Sequence, residues 1–100
     1  MNFEWDNNKN LINYQKHGLS FEDARIVFFN KTVTFRDDRQ DYGEDRFITL
    51  GELEKRVVVL IHTQGNHITR IISMRKANAR EQARYSKAIA AAYGERTEED

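Results

Sequence analysis

The side chains that could carry out chemistry in this chain are those of arginine, histidine, lysine, glutamate and tyrosine. The sequence contains no cysteine, and its three histidines show none of the short spacings typical of zinc ligands. It also has no serine in a nucleophile-elbow context and no glycine-rich loop for phosphate. The remaining set suits cleavage of RNA without a metal, because the RNA supplies its own nucleophile, the 2′-hydroxyl. We therefore expect no metal and no cofactor.

Four arginines in or beside predicted strands are candidates for holding a phosphate, because a guanidinium stays charged and can grip two oxygens. Arg70 and Arg75 lie in one strand, and strict alternation predicts that they leave it on opposite faces. One of the two is then expected to be structural, because helices must cover at least one face. Arg46 and Arg56 begin neighbouring strands, where the need for a soluble strand end would also explain them.

The acid–base candidates each have a structural explanation beside the chemical one. His17 precedes Gly18 at the predicted end of the first helix, where the helix dipole favours a cationic imidazole, but it could also protonate a leaving group. Tyr85 could stack on a base, transfer a proton or pack on the sheet. His62 lies within an apolar strand and is expected in the core, and His67 beside a turn is expected at the surface.

The charge of the chain is unevenly distributed, although its formal total is zero. Residues 1–53, 54–93 and 94–100 carry −3, +6 and −3. A basic stretch of this length attracts a phosphate backbone locally, because salt screens charges beyond about 10 Å. In the last predicted helix, Arg80, Arg84 and Lys87 share one face and could follow an RNA backbone. Solvated lysines and arginines on an ordinary surface are the other explanation.

The elements that must position these residues indicate an α+β fold. Capping residues and apolar spacing predict a helix over residues 7–16, a second helix opening at Ser20 and a last helix from Asn78 through Tyr93. Runs of β-branched and aromatic residues predict four strands, over residues 32–35, 46–51, 56–63 and 67–74. Turns over residues 51–54 and 64–66 favour an antiparallel meander, and residues 36–45 are expected to form a polar, mobile loop.

The overall composition is that of one domain with one hydrophobic core. No run approaches the roughly 18 apolar residues of a membrane span, and the first residues lack the pattern of a signal peptide. We expect a cytoplasmic protein with a single domain over residues 1–94. Residues 95–100 are expected to form an acidic tail.

Several short phrases occur in a particular order between residue 3 and about residue 87. They are Phe3-Glu4-Trp5-Asp6, Lys16-His17-Gly18, Ser20-Phe21-Glu22-Asp23-Ala24, Glu44-Asp45-Arg46-Phe47 and Arg70-Ile71-Ile72-Ser73-Met74-Arg75-Lys76-Ala77, followed by Glu81 and Tyr85. Taken together, these phrases resemble the BrnT family of toxins. The resemblance implies a RelE-like α+β fold with two N-terminal helices, an antiparallel sheet of about four strands and a C-terminal helix.

The resemblance also implies an activity and a set of partners. BrnT toxins cleave RNA without the ribosome and thereby inhibit translation. A BrnA-type antitoxin, typically a ribbon-helix-helix dimer, neutralises them. DNA is then bound only through the toxin–antitoxin complex, and no membrane is involved.

The site residues follow by carrying the family pattern over to matching positions. The catalytic candidates are His17, Glu22, Arg46, Arg70, Arg75 and Tyr85. The RNA-binding candidates are Lys16 and Lys76 by the same carry-over, together with Arg56, Arg80 and Arg84 from the pattern of basic residues along the chain. We expect Glu22 or Tyr85 to take the 2′-hydroxyl proton and His17 to protonate the leaving group. Glu22 is also a first-turn helix acid, a placement that the helix dipole alone explains.

Two other functions compete with RNA cleavage. A ParE-like toxin on the same scaffold would bind a protein such as DNA gyrase and would need no acid–base residues. A non-enzymatic interaction or regulatory module would use the basic block for assembly with an acidic partner. Salt separates these cases, because contact with nucleic acid weakens steeply as salt rises, whereas an apolar protein interface changes little.

Overall fold

A computed structural model describes residues 1–94, which form three α-helices and a sheet of five strands. The helices are α1 (Asn7–His17), α2 (Ala24–Phe29) and α3 (Ala79–Tyr93), and a 3₁₀ turn over Phe21–Asp23 leads into α2. The strands are β1 (Asn2–Glu4), β2 (Thr32–Arg36), β3 (Phe47–Leu53), β4 (Arg56–Gln64) and β5 (Ile68–Lys76). The α+β class is confirmed. The predicted acidic tail, residues 95–100, lies outside the described residues.

The sheet is mixed, which corrects the predicted antiparallel sheet of about four strands. Its order is β1-β5-β4-β3-β2, and β2 to β5 form the antiparallel meander that the turns indicate. The additional strand, β1, pairs in parallel with the first part of β5, placing Phe3 beside Thr69 and Glu4 beside Arg70. A segment of three residues is too short to show the alternation of polar and apolar residues that predicts a strand. It forms a strand because the edge of β5 is free to pair with it.

The central strand β4 is covered on both faces, as its continuous apolar run predicts. Val58 and Leu60 pack in one cluster with Leu19, which follows α1, and with residues of the 3₁₀ turn and α2. Val59 and Ile61 lie on the opposite face, in the layer that α3 covers. Among residues 1–94, no helix is long and apolar enough to cross a membrane.

A β-bulge in β5 determines which face each of its side chains takes. Ile61 pairs with Ser73 and His62 with Ile71, so Ile72 is an additional residue between them. For this reason Ile71 and Met74, three positions apart, pack in the same core layer beside α2. A shift of one residue in a strand moves the following side chains to the other face.

Because of this bulge, Arg70 and Arg75 lie on the same face of the sheet. Arg70 is opposite Thr63 and Arg75 is opposite Val59, and both of these β4 residues point toward the α3 side. The prediction that the two arginines leave β5 on opposite faces is therefore wrong. Strict alternation has no means of showing an inserted residue.

Gly51 lies within β3 and not in a turn, which corrects the turn predicted over residues 51–54. The connection between β3 and β4 is the pair Glu54–Lys55, whose φ angles are 53° and 66°. These positive values are those of the primed two-residue turns that match strand twist. A Cβ atom at Gly51 would lie 2.6 Å from Cγ1 of Val27, so the glycine lets α2 approach the sheet. The hairpin predicted around Gly65 is confirmed.

Candidate active site

The loop between β2 and β3 is anchored by a buried carboxylate, that of Asp37. Its oxygens accept hydrogen bonds from Arg39 Nε at 2.8 Å and Nη2 at 2.7 Å, and from the Tyr42 hydroxyl at 3.1 Å. The side chain of Asp37 is fully buried. Hydrogen bonding from Arg39 lowers the pKa of Asp37 to about 2, against the opposing effect of burial. Part of the predicted polar loop thus has its own internal charged anchor.

Glu44, in the same loop, joins two of the candidate arginines. Its carboxylate accepts hydrogen bonds from Arg70 Nη2 at 2.9 and 3.2 Å and from Arg46 Nε at 3.4 Å. The guanidinium of Arg46 also lies 4.2 Å from the centre of the Tyr42 ring, in a cation–π contact. Arg46 and Arg70 are therefore brought together although 23 residues of chain separate them.

The third candidate arginine, Arg75, is fixed to the first turn of α3. Its two terminal nitrogens donate to the two oxygens of Glu81, each at 2.8 Å, in the bidentate geometry of a strong ion pair. Glu81 completes the predicted capping box with Asn78. The pairing lowers the pKa of Glu81 and raises that of Arg75. Both groups stay charged at neutral pH.

A cavity of about 410 Å³ connects Arg75 with the Asp37 loop. We call it the Phe35 cavity. Its apolar floor comes from Phe35, Ile48, Leu50 and Ile61, and its charged rim from Arg36, Asp37, Asp38, Arg39, Arg75, Glu81 and Arg84. The guanidinium carbon of Arg84 lies 3.8 Å from the centre of the Phe35 ring. We call the surface that carries Arg46, Arg70 and Arg75 the arginine face.

Two acid–base candidates lie on the other layer of the fold. His17 is half-buried in the last turn of α1, and Glu22 is exposed in the 3₁₀ turn. Among residues 1–94, no hydrogen bond or ion pair links either of them to the three arginines of the arginine face. Lys16, beside His17, is exposed. The proton-transfer roles of His17 and Glu22 stay predictions.

Tyr85 is buried in the layer between α3 and the sheet. Its hydroxyl donates a hydrogen bond of 2.9 Å to the carbonyl oxygen of Lys31, and its ring packs in the cluster that contains Ile89. Burial raises the pKa of this hydroxyl, so even less of it is ionised and available as a base at neutral pH. Packing accounts for its position, and its catalytic role stays a prediction.

The RNA-binding candidates are spread over the molecule. Arg84 reaches the rim of the Phe35 cavity, while Arg80 and Lys76 are exposed near the start of α3. Arg56 lies at the far end of the sheet, because β3 and β4 run antiparallel from the Phe47–His62 pair to the Leu53–Arg56 pair. Six residues of strand correspond to roughly 20 Å. The structure does not bring Arg56 to the arginine face.

His62 is a core residue, as its apolar strand predicts. It is 1% exposed, its Nε2 lies 2.7 Å from Thr49 Oγ1, and its ring packs between Phe28 and Phe47. Burial lowers its pKa, so the ring is neutral at pH 7. Within the described part of the chain, no group of three or more His, Asp or Glu side chains is placed to hold a metal ion.

Sequence reasoning missed the residues that hold the arginines. Asp37, Arg39 and Tyr42 lie in a loop with no periodic pattern, so nothing marks their mutual contacts. Glu44 stands in one of the family-like phrases but carried no assigned role. The only available signal was that this polar segment contains five carboxylates between two strands.

One known protein family matches this chain. The family described as "Ribonuclease toxin, BrnT, of type II toxin-antitoxin system" matches residues 5–81, a range that contains Arg46, Arg70, Arg75 and Glu81. No curated protein sequence matches the chain significantly. The family match covers well over half of the sequence and includes the arginine face. The chain therefore belongs to the BrnT family of ribonuclease toxins of type II toxin–antitoxin systems.

Proposed function

We propose that this toxin is a metal-independent endoribonuclease in which the arginine face holds the scissile phosphate. The observation that carries the proposal is that Arg46 and Arg70, far apart in sequence, meet at Glu44, and that Arg75 lies on the same face of the sheet. Three guanidinium groups can neutralise the charge that develops as the 2′-hydroxyl attacks phosphorus. The chemistry then needs no nucleophile from the protein.

The carboxylate of Glu44 supports a role for Arg46 and Arg70 in anion binding. Its two oxygens already occupy the space between both guanidinium groups, so the pair is spaced to hold an anion with several oxygens. In our proposal, a phosphate of the RNA displaces Glu44 or shares its arginines. Arg75, paired with Glu81 through two of its nitrogens, keeps other N–H groups for a second phosphate oxygen.

For proton transfer we propose His17 as the acid and Glu22 as the base, which requires the RNA to pass around the β5 edge of the sheet, because both residues lie in the layer opposite the arginine face. Asn13, one helical turn before His17 on α1, bonds to the backbone of Met74, which precedes Arg75. Residues four apart share one face of a helix, so this contact supports a position of His17 toward the end of β5. We favour Glu22 over Tyr85 because the Tyr85 hydroxyl already donates to Lys31.

The direct test is incubation of the purified protein with a defined single-stranded RNA in EDTA. We expect fragments that end in 2′,3′-cyclic phosphate, and a loss of about 10²–10³-fold in rate for Arg75→Ala, the size seen when one oxyanion donor is removed. Arg25→Ala is the matched control, since Arg25 lies on α2, away from the arginine face. Intact RNA from a preparation that still arrests growth would point to a protein target such as gyrase.

Growth arrest gives a second test of the same residues. We expect Arg75→Ala and His17→Ala each to relieve the arrest that follows expression, because both remove a group that we place at the phosphate. Circular dichroism of the purified variants separates lost activity from lost folding. Full toxicity of both variants in folded form would show that our site assignment is wrong.

Membership of the family implies an antitoxin partner and RNA as the substrate. We further propose that the partner is a BrnA-type ribbon-helix-helix dimer, that the fold is RelE-like, and that RNA cleavage inhibits translation in the cytoplasm. DNA would be bound only by the complex. Co-expression with such an antitoxin should restore growth and yield a complex that shifts promoter DNA, while the toxin alone does not. A DNA shift by the toxin alone would contradict this.

A further inference from the structure

The Phe35 cavity differs in chemistry from the arginine face beside it. Its floor is apolar, since Leu50 and Ile61 are buried and Phe35 and Ile48 are half-buried. Its rim carries four arginines and three carboxylates. An apolar floor does not stabilise a bound phosphate. The cavity suits instead a flat group with apolar faces, carried by a molecule that also bears negative charge.

The pairing of the rim arginines singles out one of them. Three are neutralised by carboxylates: Arg36 by Asp38 and Asp45, Arg39 by Asp37, and Arg75 by Glu81. For Arg84, no carboxylate among residues 1–94 lies within 4.0 Å. Its guanidinium instead rests on the Phe35 ring at 3.8 Å, the separation of two planar groups in contact. The free protein thus shows a flat, delocalised group already seated on this ring.

We propose that the Phe35 cavity is a nucleobase subsite, in which one base of the RNA stacks on the Phe35 ring and the Arg84 side chain moves outward to cover it. The inference rests on the proposed ribonuclease function and deepens it. Arg75 lines both the cavity and the arginine face, so a base in the cavity belongs to a nucleotide close to the bound phosphate. Aromatic rings and arginine planes are the surfaces on which proteins stack unpaired bases.

This subsite gives Phe35 and Arg84 a role in choosing where the RNA is cut. Stacking on an aromatic ring is open to every base, while the cavity walls and the rim donors select among them. The residues differ from the phosphate-binding arginines in their expected effect. Their loss should weaken binding of one nucleotide and change the cleavage pattern, whereas loss of Arg75 should abolish cleavage at all positions.

The test measures coupling between Phe35 and one base, with cleavage prevented. The probe is a short single-stranded 2′-fluoro RNA, which lacks the attacking hydroxyl, together with versions that each carry one abasic residue. For the wild-type toxin we expect one abasic position to weaken binding roughly tenfold, the size of a lost stacking contact. Phe35→Leu should weaken binding of the intact probe by a similar factor. For this variant, the abasic probe that binds the wild type weakly should bind as tightly as the intact probe. Phe35→Tyr, which keeps the ring, should behave like the wild type.

Arg84→Gln provides a second variant that does not depend on the core, because Arg84 is exposed on α3. For this variant, we expect the same abasic residue to weaken binding by a smaller factor than it does for the wild type. If an abasic residue weakens binding by the same factor in the wild type, Phe35→Leu and Arg84→Gln, the proposed nucleobase subsite is wrong. A separate cleavage assay on 2′-hydroxyl RNA tells the two proposals apart. If the toxin cleaves RNA but the effect of the abasic residue does not depend on Phe35, only the subsite proposal is wrong. If the effect depends on Phe35 but no RNA is cleaved, only the proposed ribonuclease reaction is wrong.

Discussion

At the scale of single residues, the functional arginines are positioned by carboxylates. Glu44 holds Arg46 and Arg70, and Glu81 holds Arg75. A paired guanidinium loses less side-chain freedom when a phosphate arrives, which is the benefit of a preorganised site. These carboxylates also compete with the phosphate for the same N–H groups. The balance between the two effects sets how tightly the toxin binds RNA.

The ionisation of Asp37 should make the stability of the fold depend on pH in a defined range. The folded pKa of about 2 lies below the ordinary value of 3.8, so the ionised carboxylate stabilises the fold above pH 3.8. This stabilisation disappears as the pH falls toward 2. We expect Asp37→Asn to lower the free energy of unfolding at pH 7 by about 1–2 kcal/mol, discounted because solvent screens the exposed end of Arg39.

Urea unfolding of wild type and Asp37→Asn between pH 7 and pH 2 measures this effect. The difference between the two proteins should shrink below pH 4. Asp38→Asn is the matched control, since its side chain is 78% exposed and it should change stability by less than about 0.5 kcal/mol. A difference that stays constant down to pH 2 would contradict the low pKa of Asp37.

At the scale of elements, α1 completes the edge of the sheet. The strand β1 pairs with β5 only as far as Arg70, which leaves the edge of β5 free at Met74. The amide of Asn13 fills this position: its nitrogen donates to the Met74 carbonyl at 2.8 Å, and its oxygen accepts from the Met74 N–H at 3.2 Å. One side chain therefore replaces a neighbouring strand and holds α1 against the strand that carries Arg75.

Removal of this amide should destabilise the fold strongly. Asn13→Ala leaves the buried N–H and carbonyl of Met74 without partners, which should lower the free energy of unfolding by about 2–4 kcal/mol. Gln15→Ala, at an exposed position of the same helix, is the control and should change little. Chemical unfolding of both variants decides the matter. Equal stability of the two would mean that water replaces the amide at no cost.

The contact between α2 and β3 requires a glycine at position 51. Gly51→Ala places a Cβ atom 2.6 Å from Val27 Cγ1, and backbone or helix must shift to relieve the overlap. We expect a loss of about 1–3 kcal/mol in the free energy of unfolding. Gly65→Ala, whose Cβ would meet its nearest atom at 3.5 Å, should be tolerated. A thermal melt compares them, and a tolerated Gly51→Ala would show that α2 adjusts freely.

At the scale of the whole molecule, the distribution of charge matters more than its sum. The formal net charge is zero, yet the arginine face and the rim of the Phe35 cavity gather guanidinium groups from β2, β5, α3 and the loop between β2 and β3. Most of these groups are paired with carboxylates. Long-range attraction of RNA should therefore be modest, and short-range contacts with phosphate should provide most of the affinity.

The dependence of RNA binding on salt measures how many such contacts form. Each phosphate contact with a single strand contributes about −0.7 to the slope of log K against log salt. We expect a slope near −2 for the wild type, from the three arginines of the arginine face, and a slope smaller by about 0.7 for Arg70→Gln. Lys55→Gln, at the turn on the far end of the sheet, should leave the slope unchanged. If Arg70→Gln, like Lys55→Gln, leaves the wild-type slope unchanged, Arg70 does not contact a phosphate.

The sequence by itself determined the elements and the family. Apolar periodicity and capping residues predicted all three helices and four of the five strands, because these signals are local. The turn predicted over residues 51–54 was misplaced and β1 was not predicted, since a close approach by Val27 and a free edge on β5 depend on distant parts of the chain. The phrases around Glu22, Arg46 and Arg75 predicted the family that the comparison confirmed.

Only the tertiary structure decided which of these residues meet. One inserted residue, Ile72, turns Arg70 and Arg75 to the same side, and no periodic pattern reveals a bulge. The anchor formed by Asp37, Arg39 and Tyr42 depends on loop geometry that leaves no mark in composition. The Phe35 cavity exists because β2, β3, β4 and α3 converge there. Local sequence selects elements through backbone and side-chain preferences, whereas a site is made by contacts between residues far apart in the chain.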